Sequence, residues 1–250
     1  MSGFVFDNIY YMELIFLKEV DSTNKYTKEH FTELNDFSVV YTARQTAGRG
    51  RLSRSWNFTG ENNIYASILI KPRTEVKEVY ANLTQFLCLI LAEVFEEYGI
   101  VPKIKWPNDI RINKKKISGI LAESIIEKNK VEAIILGFGV NLNCSEETID
   151  NINQPATSLN LEINQNINKE FFLKKVLDKF YLRYNKFVEE GFISIREDYK
   201  KRAEFLDSLV KIKVFDKEIS GIAKDITETG AIKLVDNKNK EHVLLIGDIL

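Results

Sequence analysis

The sequence predicts an α+β protein in two parts, a larger one of interleaved strands and helices and a small C-terminal β-barrel. Three observations carry this. Apolar residues recur at helical spacing in two long stretches, Val76–Tyr98 and Lys169–Glu190, with strand-like runs before and between them. From Val210 onward four short alternating segments follow one another with polar turns between them, the spacing of a small barrel. With 250 residues, 44% hydrophobic and 28% charged, the chain can build one sizeable core and an accessory domain.

Taken in order, Leu14–Val20 reads as a strand. Asp21-Ser22-Thr23-Asn24 follows, and these side chains accept from the first N–H groups of a helix, so a helix is expected from here to about Glu33. Phe37–Ala43 is a strand, Gln45–Trp56 has neither period, and Ile64–Lys71 is a strand that Pro72 ends. The stripe of Val76–Tyr98 is Val79, Leu83, Phe86, Leu87, Ile90, Leu91, Val94 and Phe95, with Gly99 as its stop. Strands are expected around Ile104–Trp106, at Ile117–Ile126 and at Val131–Val140, with turns at Asn113–Lys116 and Glu127–Lys130. Asn168 caps the long helix and Gly191 stops it, and its apolar stripe from Leu173 to Val188 is core packing. The barrel segments are Val210–Phe215, Ile219–Ile226, Ala231–Val235 and Val243–Ile246, which puts a domain boundary near residue 207.

Several function classes lose support on composition. Lys and Arg number 35 against 36 Asp and Glu, a net charge of -1, which lacks the basic excess of proteins that neutralise phosphates along nucleic acid. Cys88 and Cys144 are far apart and only His30 and His242 could join them, so neither zinc nor a disulfide framework is expected. A reducing, cytoplasmic setting fits. Asp7 and Glu13 interrupt the aromatic N-terminus, which does not read as a signal peptide, and the longest apolar run, Phe86–Ala92, is far short of a bilayer span.

Four segments could carry chemistry. In Gln45-Thr46-Ala47-Gly48-Arg49-Gly50-Arg51-Leu52-Ser53-Arg54-Ser55-Trp56 the glycines allow close backbone approach, three arginines offer planar donors to phosphate, and Trp56 offers a stacking face. A solvated arginine loop would have the same composition. Lys103-Ile104-Lys105-Trp106-Pro107-Asn108-Asp109 ends a strand at Pro107 and turns at Asn108 and Asp109, an amide and a carboxylate suited to a nucleotide and its Mg²⁺, or to an ordinary hairpin turn. Of Lys114, Lys115 and Lys116, the last starts a core strand and so holds its charge in a fixed place. Gly137-Phe138-Gly139-Val140-Asn141 closes a very apolar strand; it is not the dinucleotide fingerprint, because the third glycine and the following helix are absent. Together they suit electrostatic catalysis of adenylyl transfer, with no covalent nucleophile suggested.

The order and spacing of these segments resemble the biotin protein ligase family, from about Phe16 to Leu250. The marks are Asp21-Ser22-Thr23-Asn24, Gln45 with Ala47-Gly48-Arg49-Gly50-Arg51, Lys105-Trp106-Pro107-Asn108-Asp109, Lys116-Ile117-Ser118-Gly119-Ile120, and Gly137–Asn141. The resemblance implies an α+β, mixed-sheet catalytic domain over 1–206, like that of class II aminoacyl-tRNA synthetases and lipoate ligases, and an SH3-like barrel over 207–250. It implies ATP-dependent activation of biotin to biotinyl-5′-AMP, then transfer to a lysine of a biotin carboxyl carrier protein or domain, with Mg²⁺. By the same resemblance, Ser22, Thr23, Asn24, Gln45, Gly48, Arg49, Gly50, Arg51, Lys116 and Gly119 bind biotin. Arg49, Arg51, Arg54, Trp56, Lys105, Asn108, Asp109, Lys116 and Asn141 bind ATP; Lys116 and Arg51 are catalytic, and Asp109 approaches the metal. Ser53 departs from the glycine common in the family's loop and would be strained at positive φ. Some relatives carry an N-terminal DNA-binding domain; 21 residues precede Ser22 here, so no DNA binding is expected. The expected protein is a monomer or homodimer away from membranes. The alternatives are a lipoate or octanoate ligase and a non-catalytic ligand- or nucleic-acid-binding module.

Overall fold

The computed structural model describes residues 13–72 and 78–250; the segment around Asp7 and the helix start expected at Val76 lie outside them. The described residues form two compact units interleaved along the chain, one from 13–72 and 115–173, the other from 78–114 and 174–250.

In the first unit, β1 (Leu14–Val20) leads through α1 (Thr23–Glu29) to β2 (Val39–Gln45), which runs parallel to β1 with Leu14 opposite Val39. β3 (Ile64–Ile70), β7 (Lys130–Val140) and β6 (Lys115–Glu127) then pair antiparallel, so the order β1-β2-β3-β7-β6 makes a mixed sheet. Lys128 and Asn129, both at positive φ, form the two-residue turn between β6 and β7, a geometry whose twist matches the strands it joins. Ser22 caps α1 by accepting from the Lys25 N–H, as its residue type predicts. The helix ends at Glu29 and not at Glu33, because the chain beyond it turns to bring Phe31 and Leu34 onto Val40, Leu69, Ile125, Ala133 and Ile135. Two short helices, α3 (Glu146–Asp150) and α4 (Leu159–Ile163), have no counterpart in the sequence reading; at five residues each they are too short to show a period.

The second unit contains α2 (Leu83–Glu96), preceded by a 3-10 turn over Glu78–Asn82 that replaces the first turn of the expected helix. Val79–Glu96 is apolar enough to cross a membrane, yet 78% of it is buried inside the fold, so its apolarity is that of a core helix. Phe86 stacks on Phe187 of α5 (Lys169–Glu190) at 4.3 Å between ring centres. α5 has the expected bounds: Asn168 Oδ1 accepts from the Phe171 N–H, and Gly191 follows at φ 79°. β4 (Lys103–Lys105) pairs with β5 (Asp109–Ile112), a strand not expected from the sequence; Asp109, expected in the turn, opens it opposite Lys105. Helix α6 (Arg196–Arg202) begins with Glu197 and Asp198 and ends with Lys200, Lys201 and Arg202, charges that suit the helix dipole.

The C-terminal strands are β8 (Leu209–Val214), β9 (Lys217–Ile226), β10 (Ile232–Val235), β11 (Glu241–Leu244) and β12 (Asp248–Ile249). They form one five-stranded antiparallel sheet in the order β11-β10-β9-β8-β12; the fifth strand, of two residues, is too short to read from sequence. Its β9–β10 turn is tied to the start of α2, where Asn82 donates to Thr229 O and Gln85 to Gly230 O. Arg196 and Lys200 of α6 hold Asp225, each at 2.7 Å.

Between β10 and β11, Asp236 faces His242 Nε2 at 2.9 Å and accepts from the Lys238 and Lys240 N–H groups. The His242 contact, then those two N–H groups, hold its carboxyl down to about 2. A depressed folded-state pKa stabilises above the ordinary carboxylate range, near 4, and the effect is lost as pH falls through about 2. Asp236→Asn is therefore expected to lower the melting temperature at pH 7 and to narrow the gap between pH 7 and pH 2. Thermal melts at both pH values check this; an unchanged gap would rule out the contribution.

Candidate active site

The first unit gathers polar side chains where α1 meets the sheet. Ser22, Thr23, Asn24, Gln45 and Ser67 are all buried. Gln45 Oε1, at the end of β2, accepts from the Thr23 N–H at 2.9 Å. Ser67 Oγ on β3 lies 2.8 Å from Thr23 Oγ1 and 2.7 Å from Asn24 Oδ1. Asn24 Nδ2 donates to Glu123 Oε2 at 2.8 Å and to Leu121 O at 3.3 Å. Buried polar groups stay in place when their partners are so arranged, and the cluster joins β2, β3 and β6 through α1.

Beside this cluster the sheet carries glycines in place of side chains. In the β6–β7 register Gly119 faces Gly139 and Leu121 faces Gly137. A Cβ on Gly137 would overlap Asn24 Oδ1 and come within 2.7 Å of its Cγ; one on Gly139 would overlap the Trp56 indole and lie 2.5 Å from Nε1. These two positions accept no side chain because the groups above them lie directly on the backbone.

The arginine-rich loop, read as aperiodic, folds back on itself. Trp56 N donates to Gly48 O, Gly50 N donates to Arg54 O, and Arg49 bridges Ser55. Arg51–Ser53 forms a 3-10 turn whose left-handed residue is Leu52 (φ 52°), so the positive φ anticipated for Ser53 falls one residue earlier. The fold-back sets Arg49 3.1 Å from Glu123 and leaves Arg54 exposed. Trp56 Nε1 is buried with no acceptor among the described residues.

Lys116 is pinned by its backbone, with its N–H on Pro155 O and its C=O accepting from Thr157. Its Nζ stands 5.5 Å over the Trp56 ring. Trp56, Lys116, Asn141, Thr59 and Gln154 line one hollow of about 320 Å³, mouth included. Asn141 Oδ1 accepts from Thr59 and its Nδ2 donates to Thr157 O, so its amide braces the strand end.

Thus Ser22, Thr23, Asn24, Gln45, Gly48, Arg49, Gly50, Arg51, Arg54, Trp56, Lys116, Gly119 and Asn141 all belong to the first unit. Lys105, Asn108 and Asp109 belong to the second, half-buried in the β4–β5 hairpin around a cis Trp106–Pro107 bond. Among the described residues no three His, Cys, Asp or Glu side chains cluster as a metal site. Two members of the site were missed, and each breaks a pattern. Ser67 is, with Tyr65, one of two hydroxyl residues in a wholly buried strand, and Glu123 is a charge on the face that carries Ile117, Gly119, Leu121 and Ile125.

Comparison with known proteins adds to this geometry. The biotin/lipoate A/B protein ligase family matches residues 16–141. A biotin protein ligase from Aquifex aeolicus, solved in complex with biotin and ATP, superposes with a TM-score of 0.79 at 30% identity, covering 95% of this chain and 97% of that one. The bifunctional ligase/repressor BirA of Bacillus subtilis (strain 168) is 30% identical over 82% of this chain, which spans 64% of its length. A biotin–[acetyl-CoA-carboxylase] ligase of Paracoccus denitrificans is 28% identical over 87% of this chain and 92% of its own. The chain belongs to the biotin/lipoate A/B protein ligase family. Within that family it groups with the biotin protein ligases.

Proposed function

We propose that the protein activates biotin with ATP and transfers it to a lysine of a biotin carboxyl carrier protein or domain. The observation that carries this is the buried amide–hydroxyl cluster beside a glycine floor on which Asn24 and Trp56 lie, with an arginine fold-back and Lys116 at its edge. A cyclic urea offers both donors and acceptors, which suits Ser22, Thr23, Asn24 and Gln45, and the glycines at 137 and 139 let Asn24 and Trp56 lie directly on the strand backbone beside it.

The chemistry follows from charge. The acid's carboxylate and a triphosphate repel, and Lys116, Arg49, Arg51 and Arg54 offset this repulsion. A carboxylate oxygen attacks the α-phosphorus, the bond to the β-phosphate oxygen breaks, pyrophosphate leaves, and biotinyl-5′-AMP remains. Lys116 holds the carboxylate beside the α-phosphate; Trp56 offers a face to the nucleotide, with Asn141 behind it. Lys105, Asn108 and Asp109 serve the ATP phosphates. Asp109 would be the carboxylate to hold a magnesium ion, which would supply neutralisation of the triphosphate charge. The neutral amine of the carrier lysine then attacks the activated carbonyl, gives up a proton, and AMP departs. Closure of the arginine loop keeps water from the adenylate.

The acceptor is the carrier domain of a biotin-dependent carboxylase, in keeping with the name of the Paracoccus relative. We read the C-terminal sheet as an SH3-like barrel, 207–250, following a catalytic domain of 1–206.

The test is pyrophosphate exchange into ATP with biotin, lipoate, octanoate or no acid. Exchange dependent on biotin alone is expected. Exchange with lipoate or octanoate instead would keep the mechanism and overturn the substrate, and no exchange by folded protein would leave a binding module.

A further inference from the structure

Glu123 lies on β6 with its side chain 18% exposed, on the sheet face that bears the site. Each carboxylate oxygen has its own partner. Oε2 accepts from Asn24 Nδ2 at 2.8 Å, and Oε1 is 3.1 Å from Arg49 NH1. The partners differ in kind. Asn24 is buried; its Oδ1 accepts from Ser67 Oγ at 2.7 Å and its Nδ2 donates to Leu121 O as well as to Glu123. The Arg49 side chain is 50% exposed, on a fold-back closed by the Gly48–Trp56 and Gly50–Arg54 backbone bonds. The one carboxylate therefore spans from a fixed cluster to a loop, and it does so with a charge-assisted contact at its exposed end.

We propose that Glu123 is a positioning residue that latches the arginine loop onto the α1 cluster, holding Arg49 and the rest of the fold-back over the glycine floor. It touches neither acid nor nucleotide in this scheme; it acts through Arg49 and Asn24. Its effect on catalysis rests on the ligase reading above, but the latch itself does not.

Glu123→Gln separates the two contacts, because its amide oxygen still accepts from Asn24 while the charge facing Arg49 is gone. Two readouts on the full chain test it. Without ligand, trypsin cleavage after Arg51 and Arg54 is expected to speed up about tenfold, the scale of one lost charge-assisted contact, with an unchanged melting temperature. In exchange assays the KM for biotin is expected to rise about tenfold, with kcat changed less than threefold. Arg49→Met should reproduce the faster cleavage, and in the cleavage assay the double variant should be no worse than Arg49→Met alone, since both changes remove one contact. Wild-type cleavage and KM in Glu123→Gln, or effects that multiply in the double variant, would overturn the latch. The proteolysis arm needs no substrate: faster cleavage in a protein that exchanges with no acid would uphold the latch and sink the ligase reading.

Discussion

Lys116→Ala is expected to slow biotin-dependent pyrophosphate exchange by about 100- to 1,000-fold, the scale for removing one preorganised charge from a developing anionic centre. The expectation rests on how the side chain is held. Its backbone is fastened on both sides, to Pro155 O and by the Thr157 N–H, so truncation leaves the strand start where it is. The side chain passes Gly119, and its ammonium ends over the Trp56 ring at the edge of the hollow that Asn141 and Thr59 also line. Removing it deletes a cation and little packing, so the melting temperature should stay within a few degrees. Exchange rates read beside thermal melts decide the matter: near-normal turnover in a folded variant would refute the role, and a collapsed melt would show that Lys116 supports the fold.

Gly137→Ala is expected to weaken acid binding at least tenfold and to destabilise the protein by about 1–3 kcal/mol, the usual cost of forcing a methyl into a packed site. β7 is paired along its length, to β3 on one side and β6 on the other, so its backbone has little room to yield. The new Cβ meets the Asn24 amide, and Asn24 cannot move without loosening its contacts with Ser67, Leu121 and Glu123. Gly139→Ala makes a useful contrast. Its Cβ meets Trp56, which sits on a loop and can be pushed aside, so affinity should fall with less loss of stability. Equal melting temperatures for the two variants would argue against this account of what each glycine accommodates.

How much of this was legible follows the range of the forces involved. Capping is local, so Ser22 and Asn168 announced their helices correctly, and Gly191 announced an end. Long periodic segments such as Lys169–Glu190 read true for the same reason. The β4–β5 hairpin was half missed because Asp109 gains its strand conformation from pairing with Lys105, which no local preference encodes. In the site, residue types pointed to Arg49, Trp56 and Lys116, and the family resemblance to Ser22–Asn24 and Gln45; all of these share one unit. They could not reveal that Gly48 and Trp56 close the arginine loop, nor that Asn141 spends its amide on Thr59 and Thr157. Both depend on contacts between distant parts of the chain.

The indole lying on Gly139 also gives the protein an optical gauge of its own. Trp56 and Trp106 are its two tryptophans. Trp106 is 2% exposed, so it has little solvent contact to gain or lose and contributes a nearly constant background. Trp56 sits on the glycine floor under a lysine ammonium, where any ring entering that floor must change its surroundings. A shift in ultraviolet emission on adding the acid would then track occupancy of the floor directly, with no label and no coupled enzyme.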